Sequence, residues 1–214
     1  MSKIRIAIQN KGRLQDASWD FLRSIGLKFA KNGRELIVSC DGSDVELLYV
    51  RNGDIPVYVS QNVADFGIVG ENVLIERGSN LKIVEKLGFG KCRLIIAAPN
   101  GSNIKSLRDL EGERIATSYP NTLKSFLVGN EVNASIIDIR GSVEIAPSLN
   151  LADSICDITQ TGNSLKENGL NEICQLFQSE AVVVKCPMNS QLKWNDFKKL
   201  LTKNYEKVLF AKTS

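Results

Sequence analysis

Asp153 to Leu165 reads D-S-I-C-D-I-T-Q-T-G-N-S-L, and this stretch predicts a strand followed by a tight turn and a helix. Ile155 and Ile158 are typical of a short buried strand. Gly162 supplies the residue that a tight turn needs, and Gly169 ends the short helical segment that follows. Because strands that alternate with helices define α/β proteins, this stretch indicates the fold class.

The same alternation continues on both sides of this stretch. The runs typical of strands are Ile4–Ile8, Leu36–Cys40, Val45–Val50, Ala64–Gly70, Lys82–Leu87, Arg93–Ala98, Arg114–Thr117, Ser135–Ile139 and Ala181–Val184. We therefore expect an α/β fold with mostly parallel strands. The pattern restarts after Pro99, which indicates two similar lobes.

The composition excludes several classes of function. The chain has 214 residues, enough for one large or two small domains, and its net charge of +3 is too weak to favour nucleic-acid binding. No signal peptide or membrane-spanning run is visible, and the five cysteines form no CxxC pair, so we expect a cytoplasmic protein with reduced thiols. Histidine is absent, which excludes Ser-His-Asp and Cys-His mechanisms and histidine-based metal sites.

The turn Thr161-Gly162-Asn163-Ser164 has the chemistry of a phosphate-binding loop. It precedes a helix, whose first backbone N–H groups are unpaired and carry partial positive charge. Thr161 and Ser164 add hydroxyl donors, and Asp157 on the preceding strand is placed to accept hydrogen bonds from sugar hydroxyls. A phosphorylated ribose needs both functions. The alternative is an ordinary strand-turn-helix connection in which the two hydroxyls cap the helix.

Three cations and one acid elsewhere in the chain are further candidates. Lys11 and Arg13 follow the first strand and Arg51 follows the third, at the strand ends where α/β sites gather. Glu144 opens a short helical segment. Solvated turns account equally well for the cations, and pairing with the helix dipole accounts equally well for Glu144.

Several longer motifs occur along nearly the whole chain. They include N-K-G-R-L at Asn10–Leu14, A-D-F-G-I-V-G at Ala64–Gly70, L-G-F-G-K-C-R-L at Leu87–Leu94, G-S-V-E-I-A-P at Gly141–Pro147 and D-I-T-Q-T-G-N-S-L at Asp157–Leu165. In this combination and order the sequence resembles the ATP phosphoribosyltransferases that begin histidine biosynthesis. It departs from that family's pattern at Gln9-Asn10, where Leu-Pro is usual, at Asn150, where Gly is usual, and at Ser164, where Thr is commoner.

The resemblance implies a reaction and a fold. Members of the family transfer the 5-phosphoribosyl group of phosphoribosyl pyrophosphate to N1 of ATP, release pyrophosphate and use Mg²⁺. Their fold is similar to the two-lobed periplasmic binding proteins of type II, with a central cleft. For this sequence it implies a discontinuous first lobe of residues 1–98 and 181–214. The second lobe would comprise residues 99–180 and carry the phosphoribosyl pyrophosphate loop.

The resemblance also implies roles for individual residues. Lys11, Arg51, Glu144 and Asp157 would be catalytic, and the two acids would also contact a substrate-held Mg²⁺. The residues implied to bind substrate are Arg13, Asp157, Thr159, Thr161, Gly162, Asn163, Ser164 and Leu165.

The length of the sequence is similar to the short form of this family. The resemblance then implies a separate regulatory subunit similar to histidyl-tRNA synthetase, in a hetero-octamer, with no nucleic-acid or membrane partner. Two alternatives remain open. A type I nucleobase phosphoribosyltransferase shares D-x-x-x-T-G-x-S, but it usually has paired acids where this sequence has Cys156. A non-catalytic solute-binding module would have the same fold but needs no phosphate loop.

Overall fold

A computed structural model describes residues 3–31, 33–186 and 193–202 of the chain. The chain divides into two compact units. The first unit contains the described residues within 1–74, 79–90 and 180–214, and the second contains residues 75–78 and 91–179. Each unit is built on its own β-sheet. Within the described ranges, no helix is long and apolar enough to cross a bilayer.

Eleven strands and six α-helices form the two units in the described part of the chain. The strands are β1 (Ile4–Gln9), β2 (Ile37–Ser39), β3 (Val45–Val50), β4 (Phe66–Gly70), β5 (Lys82–Lys86), β6 (Cys92–Pro99), β7 (Arg114–Thr117), β8 (Ser135–Asp138), β9 (Ser154–Thr159), β10 (Leu170–Ser179) and β11 (Ala181–Lys185). The helices are α1 (Gln15–Ser24), α2 (Ile55–Ser60), α3 (Glu71–Glu76), α4 (Pro120–Gly129), α5 (Asn163–Glu167) and α6 (193–202).

The first unit has a six-stranded sheet in the order β2-β3-β1-β4-β11-β5. One face packs Ile6, Ile8 and Tyr49 into a core that includes the fully buried Phe197 of α6. The rings of Phe66 and Phe197 stack with their centroids 4.2 Å apart. Because β1 runs parallel to β3 and β4, the carboxyl ends of these strands meet at one edge of the sheet. The turns after β1 and β3 carry the three predicted cations.

The second unit has a five-stranded sheet in the order β10-β6-β9-β7-β8. Successive residues of β9 point to opposite faces of the sheet, as in any strand. Ile155 packs with Val143 and Leu165 in one core cluster, whereas Cys156 packs in the cluster on the other face. Asp157 therefore lies on the same face as Ile155, at the end of β9 nearer to the predicted phosphate turn.

Three details of the fold differ from the expectations set out above. The sheets are mixed rather than mostly parallel, because β6, β10 and β11 run antiparallel to their neighbours. The long strand β10 was not predicted. The structure divides the units after residue 90 rather than after residue 98, because β6 pairs with β9 and β10. Residues 187–192 and 203–214 of the predicted first lobe lie outside the described residues.

Asp153 holds the start of β9 against the start of β7. Its carboxylate accepts hydrogen bonds from the backbone N–H of Arg114 at 2.8 Å and from the guanidinium at 2.8 and 3.0 Å. The guanidinium beside it lowers the pKa of Asp153 to about 2. A lowered pKa stabilises the fold above the unfolded-state value, and this stabilisation disappears as the pH falls through the folded-state value.

We expect Asp153→Asn to reduce the free energy of unfolding by about 1–2 kcal/mol at pH 7, because it weakens a partly exposed ion pair and its hydrogen bonds. The difference from wild type should shrink as the pH falls from about 4 towards about 2. Urea titrations of the wild type and Asp153→Asn at pH 7 and pH 3 measure this difference in the free energy of unfolding. An equal difference at both values would show that the charge of Asp153 contributes nothing.

Candidate active site

The turn between β9 and α5 has an open, positively polarised backbone. Gly162 adopts φ +79° at the N-cap position of α5, and no side-chain hydrogen bond from a described residue caps this helix. The hydroxyl of Thr159 accepts the N–H of Gly162 at 3.0 Å, and the hydroxyl of Thr161 accepts the N–H of Asn163 at 3.4 Å. Apart from the residue itself and its two chain neighbours, no described residue has an atom within 4 Å of the position that a Cβ on Gly162 would occupy. The space in front of the turn is therefore open to a ligand.

The side chains of this turn divide into a ligand-facing group and a structural group. Thr161, Asn163 and Ser164 are exposed, so their polar groups are accessible to an anion. Leu165 is buried in the core cluster with Ile155, so it can contact a ligand only through its backbone N–H. The buried Thr159 supports the turn from beneath.

Asp157 and Glu144 interact electrostatically on the same face of the second sheet. Glu144 lies on the short 3-10 helix Val143–Ile145, which contacts β9. The buried Val143 packs in one cluster with Ile155, and this contact anchors the helix beside the strand. Burial and, to a smaller extent, the nearby charge of Glu144 raise the pKa of Asp157 to about 6, against the opposing effect of the hydrogen bond from the N–H of Ile158. Two carboxyl groups are thus brought near one another beside the face of β9 that carries Asp157.

The donor set in the second unit suits a metal ion held mainly by a substrate. No group of three or more Asp, Glu, Cys or His side chains that could hold a metal occurs among residues 3–31, 33–186 and 193–202. Mg²⁺ is commonly bound by one or two carboxylates together with substrate phosphate oxygens and water. Asp157 and Glu144 can supply that number of carboxylates.

In the first unit, Lys11 lies on a turn that is closed by Gln9, two residues earlier in the chain. The side-chain amide of Gln9 donates to the carbonyl of Lys11 at 2.6 Å and accepts the N–H of Leu14 at 3.1 Å. Lys11 is exposed, and within the part of the chain that the structure describes its ammonium group forms no hydrogen bond or ion pair. The turn therefore presents a cation that has no partner among the described residues.

Arg13 and Arg51 differ in how the structure uses them. The guanidinium of Arg13 is half-buried and donates to the carbonyl of Gly90. Arg51 is exposed and lines an open pocket of about 540 Å³ in the first unit, together with Asp54 and Asn10. Arg51 is therefore available to a ligand in this structure, whereas Arg13 is partly committed to holding the backbone.

Sequence reasoning missed the residues that shape these turns. In the sequence Gln9 stands out only as a departure from a family pattern, and nothing there points to the carbonyl of Gly90. Asn10 accepts a hydrogen bond from the ammonium of Lys31 at 2.7 Å, and that ammonium lies 4.2 Å from the ring centroid of Tyr49. The sequence feature that indicates these contacts is the pair of polar side chains, Gln9 and Asn10, directly before the cationic turn.

Comparison with solved structures defines the class of fold. The periplasmic aliphatic sulphonate binding protein SsuA from Escherichia coli matches 96% of this chain and 72% of its own, with a TM-score of 0.64 and 12% identity. Other matches of this kind include a histidine kinase sensor domain with similarity to periplasmic binding proteins, with a TM-score of 0.62. The predicted α/β fold of the type II periplasmic-binding-protein class is confirmed.

Closer relatives define the family. The family model HisG: ATP phosphoribosyltransferase matches residues 51–205. The ATP phosphoribosyltransferase of Cytophaga hutchinsonii is 45% identical over 89% of this chain, and that of Maricaulis maris is 42% identical over 86%. The ATP phosphoribosyl transferase (HisG:HisZ) complex from Thermotoga maritima matches with a TM-score of 0.82 and 32% identity, covering 95% of this chain and 97% of that chain. The chain belongs to the ATP phosphoribosyltransferase family.

The C. hutchinsonii and M. maris proteins are longer than the region that matches this chain. The matched region covers 66% of the C. hutchinsonii protein and 65% of the M. maris protein.

Proposed function

We propose that this chain transfers the 5-phosphoribosyl group of phosphoribosyl pyrophosphate to N1 of ATP and releases pyrophosphate, the first step of histidine biosynthesis. The observation that carries the proposal is the open Gly162 turn at the start of α5, with two interacting carboxyl groups beside the face of the preceding strand. This arrangement of turn and carboxyl groups occurs in a chain that belongs to a family named for this reaction. A 5-phosphate and a ribose need these two features side by side.

The chemistry requires positioning and charge stabilisation more than proton transfer. Adenine N1 carries a free lone pair, which forms the new bond to C1 of the ribose. The C1–O bond breaks and its electron pair leaves with pyrophosphate, and the adenine amino group then loses a proton to solvent. Positive charge develops at C1 as the bond breaks. Preorganised groups that oppose this charge lower the barrier.

The second unit supplies the groups that bind and stabilise the ribose. The backbone N–H groups of Ser164 and Leu165 at the start of α5, which no hydroxyl of the turn accepts, and the hydroxyls of Thr161 and Ser164 bind the 5-phosphate. Asp157 and Glu144 accept hydrogen bonds from the ribose hydroxyls. The ionised carboxylate of Asp157 also opposes the positive charge at C1, so the reaction is favoured above the raised pKa of about 6.

The first unit supplies cations for the polyphosphates. Lys11 and Arg51 are exposed and neutralise charge on pyrophosphate and on the ATP triphosphate. Arg13 contributes mainly by holding its turn to the carbonyl of Gly90. Asp157 and Glu144 would contact a Mg²⁺ ion held by substrate oxygens, and such an ion would supply neutralisation of the charge on the leaving group.

An assay of pyrophosphate release separates this function from its two alternatives. We expect release from phosphoribosyl pyrophosphate with ATP and Mg²⁺ and none with free nucleobases. Release with a nucleobase instead of ATP would indicate a type I phosphoribosyltransferase. Binding of a solute without any release would indicate a non-catalytic module.

We also infer a protein partner, a regulatory subunit of the HisZ type. The inference is supported by the T. maritima structure, which was solved as a HisG:HisZ complex and whose matching chain this sequence covers almost completely. The family resemblance to a short form that assembles with a subunit similar to histidyl-tRNA synthetase points to the same partner.

Histidine should inhibit the chain only in the presence of this partner. Allosteric inhibition needs an effector site distinct from the substrate site, and the proposal places that site on the regulatory subunit. We expect initial rates of the chain alone to be unchanged at histidine concentrations that inhibit the mixture of both subunits. Non-competitive inhibition of the chain alone would contradict the assignment of the effector site to the partner.

A further inference from the structure

We propose that Gln9 is a positioning residue, which fixes the backbone of the turn 11–14 and thereby the ammonium of Lys11. The proposal rests on the proposed function, which assigns Lys11 to the polyphosphates. Gln9 is the last residue of β1, and its side chain reaches forward over the turn rather than into either core cluster. It does not contact substrate in this role and acts through Lys11.

One amide group closes the turn at both of its ends. The Nε2 group of Gln9 donates to the carbonyl of Lys11 at 2.6 Å, and its Oε1 atom accepts the N–H of Leu14 at 3.1 Å. Leu14 is the N-cap residue of α1. Its apolar side chain cannot form the hydrogen bond by which a polar N-cap residue would cap the helix. Gln9 therefore satisfies a backbone donor that the start of the helix would otherwise leave to water.

The conformation of Gly12 fits this arrangement. Gly12 adopts φ +108°, which side chains rarely tolerate, and a Cβ at this position would lie 2.6 Å from Nε2 of Gln9. The absence of a side chain at residue 12 thus leaves the space that the Gln9 amide occupies. The turn and the amide are complementary in shape as well as in hydrogen bonding.

The two halves of the turn are held by different interactions. Leu14 is fully buried, and Arg13 donates to the carbonyl of Gly90, so the second half is fixed by packing and by a bond to another segment. The first half contains the exposed Lys11, whose carbonyl accepts the Gln9 amide. Loss of the Gln9 amide should therefore loosen Lys11 while Leu14 remains in place.

A fixed backbone reduces the conformational entropy that Lys11 loses when it binds an anion, so preorganisation increases affinity without a new contact. We expect Gln9→Leu to weaken the binding of magnesium pyrophosphate about tenfold and to raise the KM for phosphoribosyl pyrophosphate by a similar factor. The melting temperature should change by only a few degrees. Gln61→Leu is the matched control, because Gln61 is exposed in the same unit and lies at the end of α2.

A double-mutant cycle with Lys11→Ala separates positioning from a general structural role. If Gln9 acts through Lys11, Gln9→Leu should weaken pyrophosphate binding less than about twofold in the Lys11→Ala background. Isothermal titration calorimetry measures the dissociation constant of magnesium pyrophosphate for the wild type, the two single variants and the double variant. Amide hydrogen exchange at Leu14 should be faster in Gln9→Leu, which tests the closure of the turn without any ligand.

The outcomes distinguish this role from the proposed function. Additive effects of Gln9→Leu and Lys11→Ala, or unchanged exchange at Leu14, would overturn the positioning role while wild-type binding and turnover remain. A wild-type chain that binds neither pyrophosphate nor phosphoribosyl pyrophosphate would overturn the proposed function and this role with it. Non-additive binding effects together with faster exchange at Leu14 would support the role.

Discussion

Asp157→Asn is expected to lower kcat about a hundredfold and, at the same time, to stabilise the protein at neutral pH. The carboxylate opposes positive charge at C1 of the ribose, and this charge is largest in the transition state. A hundredfold loss corresponds to about 2.7 kcal/mol of transition-state stabilisation. Asparagine keeps the size of the residue and one acceptor oxygen but has no charge, so the KM for phosphoribosyl pyrophosphate should rise much less than kcat falls.

The gain in stability follows from the raised pKa of Asp157. Its folded-state pKa of about 6 lies above the ordinary value of 3.8, so the charged form is disfavoured in the folded protein. Stability therefore falls as the pH rises from about 4 to about 6 and stays reduced above that range. Removing the charge should increase the free energy of unfolding by up to about 3 kcal/mol at pH 7.5 and change it little at pH 4.

Urea titrations at these two pH values and steady-state kinetics test both halves of the prediction. Asp109→Asn is a useful comparison, since hydrogen bonds from Ser106 and Lys105 lower the pKa of Asp109 and its replacement should reduce stability without altering kcat. Equal losses of kcat and substrate affinity in Asp157→Asn, or a loss of stability at pH 7.5, would contradict the role of Asp157 as a buried catalytic carboxylate.

The sequence was informative where local chemistry determines local structure. The strand, turn and helix around Gly162 were predicted because a β-compatible run, a glycine and a helix stop occur within a few residues of one another. The positive φ of Gly162 follows from the same local requirement. The placement of Lys11 and Arg51 after strands was likewise predictable, because each directly follows an apolar run.

Features that depend on packing between distant segments were not predictable. The interaction of Glu144 with Asp157 requires Val143 to pack against the face of β9, which no spacing in the sequence reveals. The strand β10 was missed because its alternation is irregular. Its pairing with β6 is interrupted between Glu172 and Cys174 and again between Gln175 and Phe177. The bond from Arg13 to Gly90 joins residues far apart in the sequence.

Gly162→Ala is expected to weaken the binding of phosphoribosyl pyrophosphate at least about tenfold, and much more than it weakens the fold. Beyond the two chain neighbours, a Cβ at residue 162 would meet no described residue within 4 Å, so the variant has room in the folded protein. The φ of +79° costs an alanine about 1–2 kcal/mol of backbone strain. In the complex, the methyl group would occupy the open space in which a phosphate approaches the backbone N–H groups.

Gly112→Ala separates the strain from the loss of the site. Gly112 lies in the same unit, adopts φ +80° and also has no described residue beyond its chain neighbours within 4 Å of its Cβ position. Both variants should therefore lose similar free energy of unfolding in urea titrations, while only Gly162→Ala loses affinity in calorimetric titration with phosphoribosyl pyrophosphate. Unchanged affinity in folded Gly162→Ala, or an equal loss in both variants, would show that the turn at the start of α5 is not the phosphate site. The role proposed for Asp157 beside that phosphate would then lose its basis, because the ribose would no longer be placed at the end of β9.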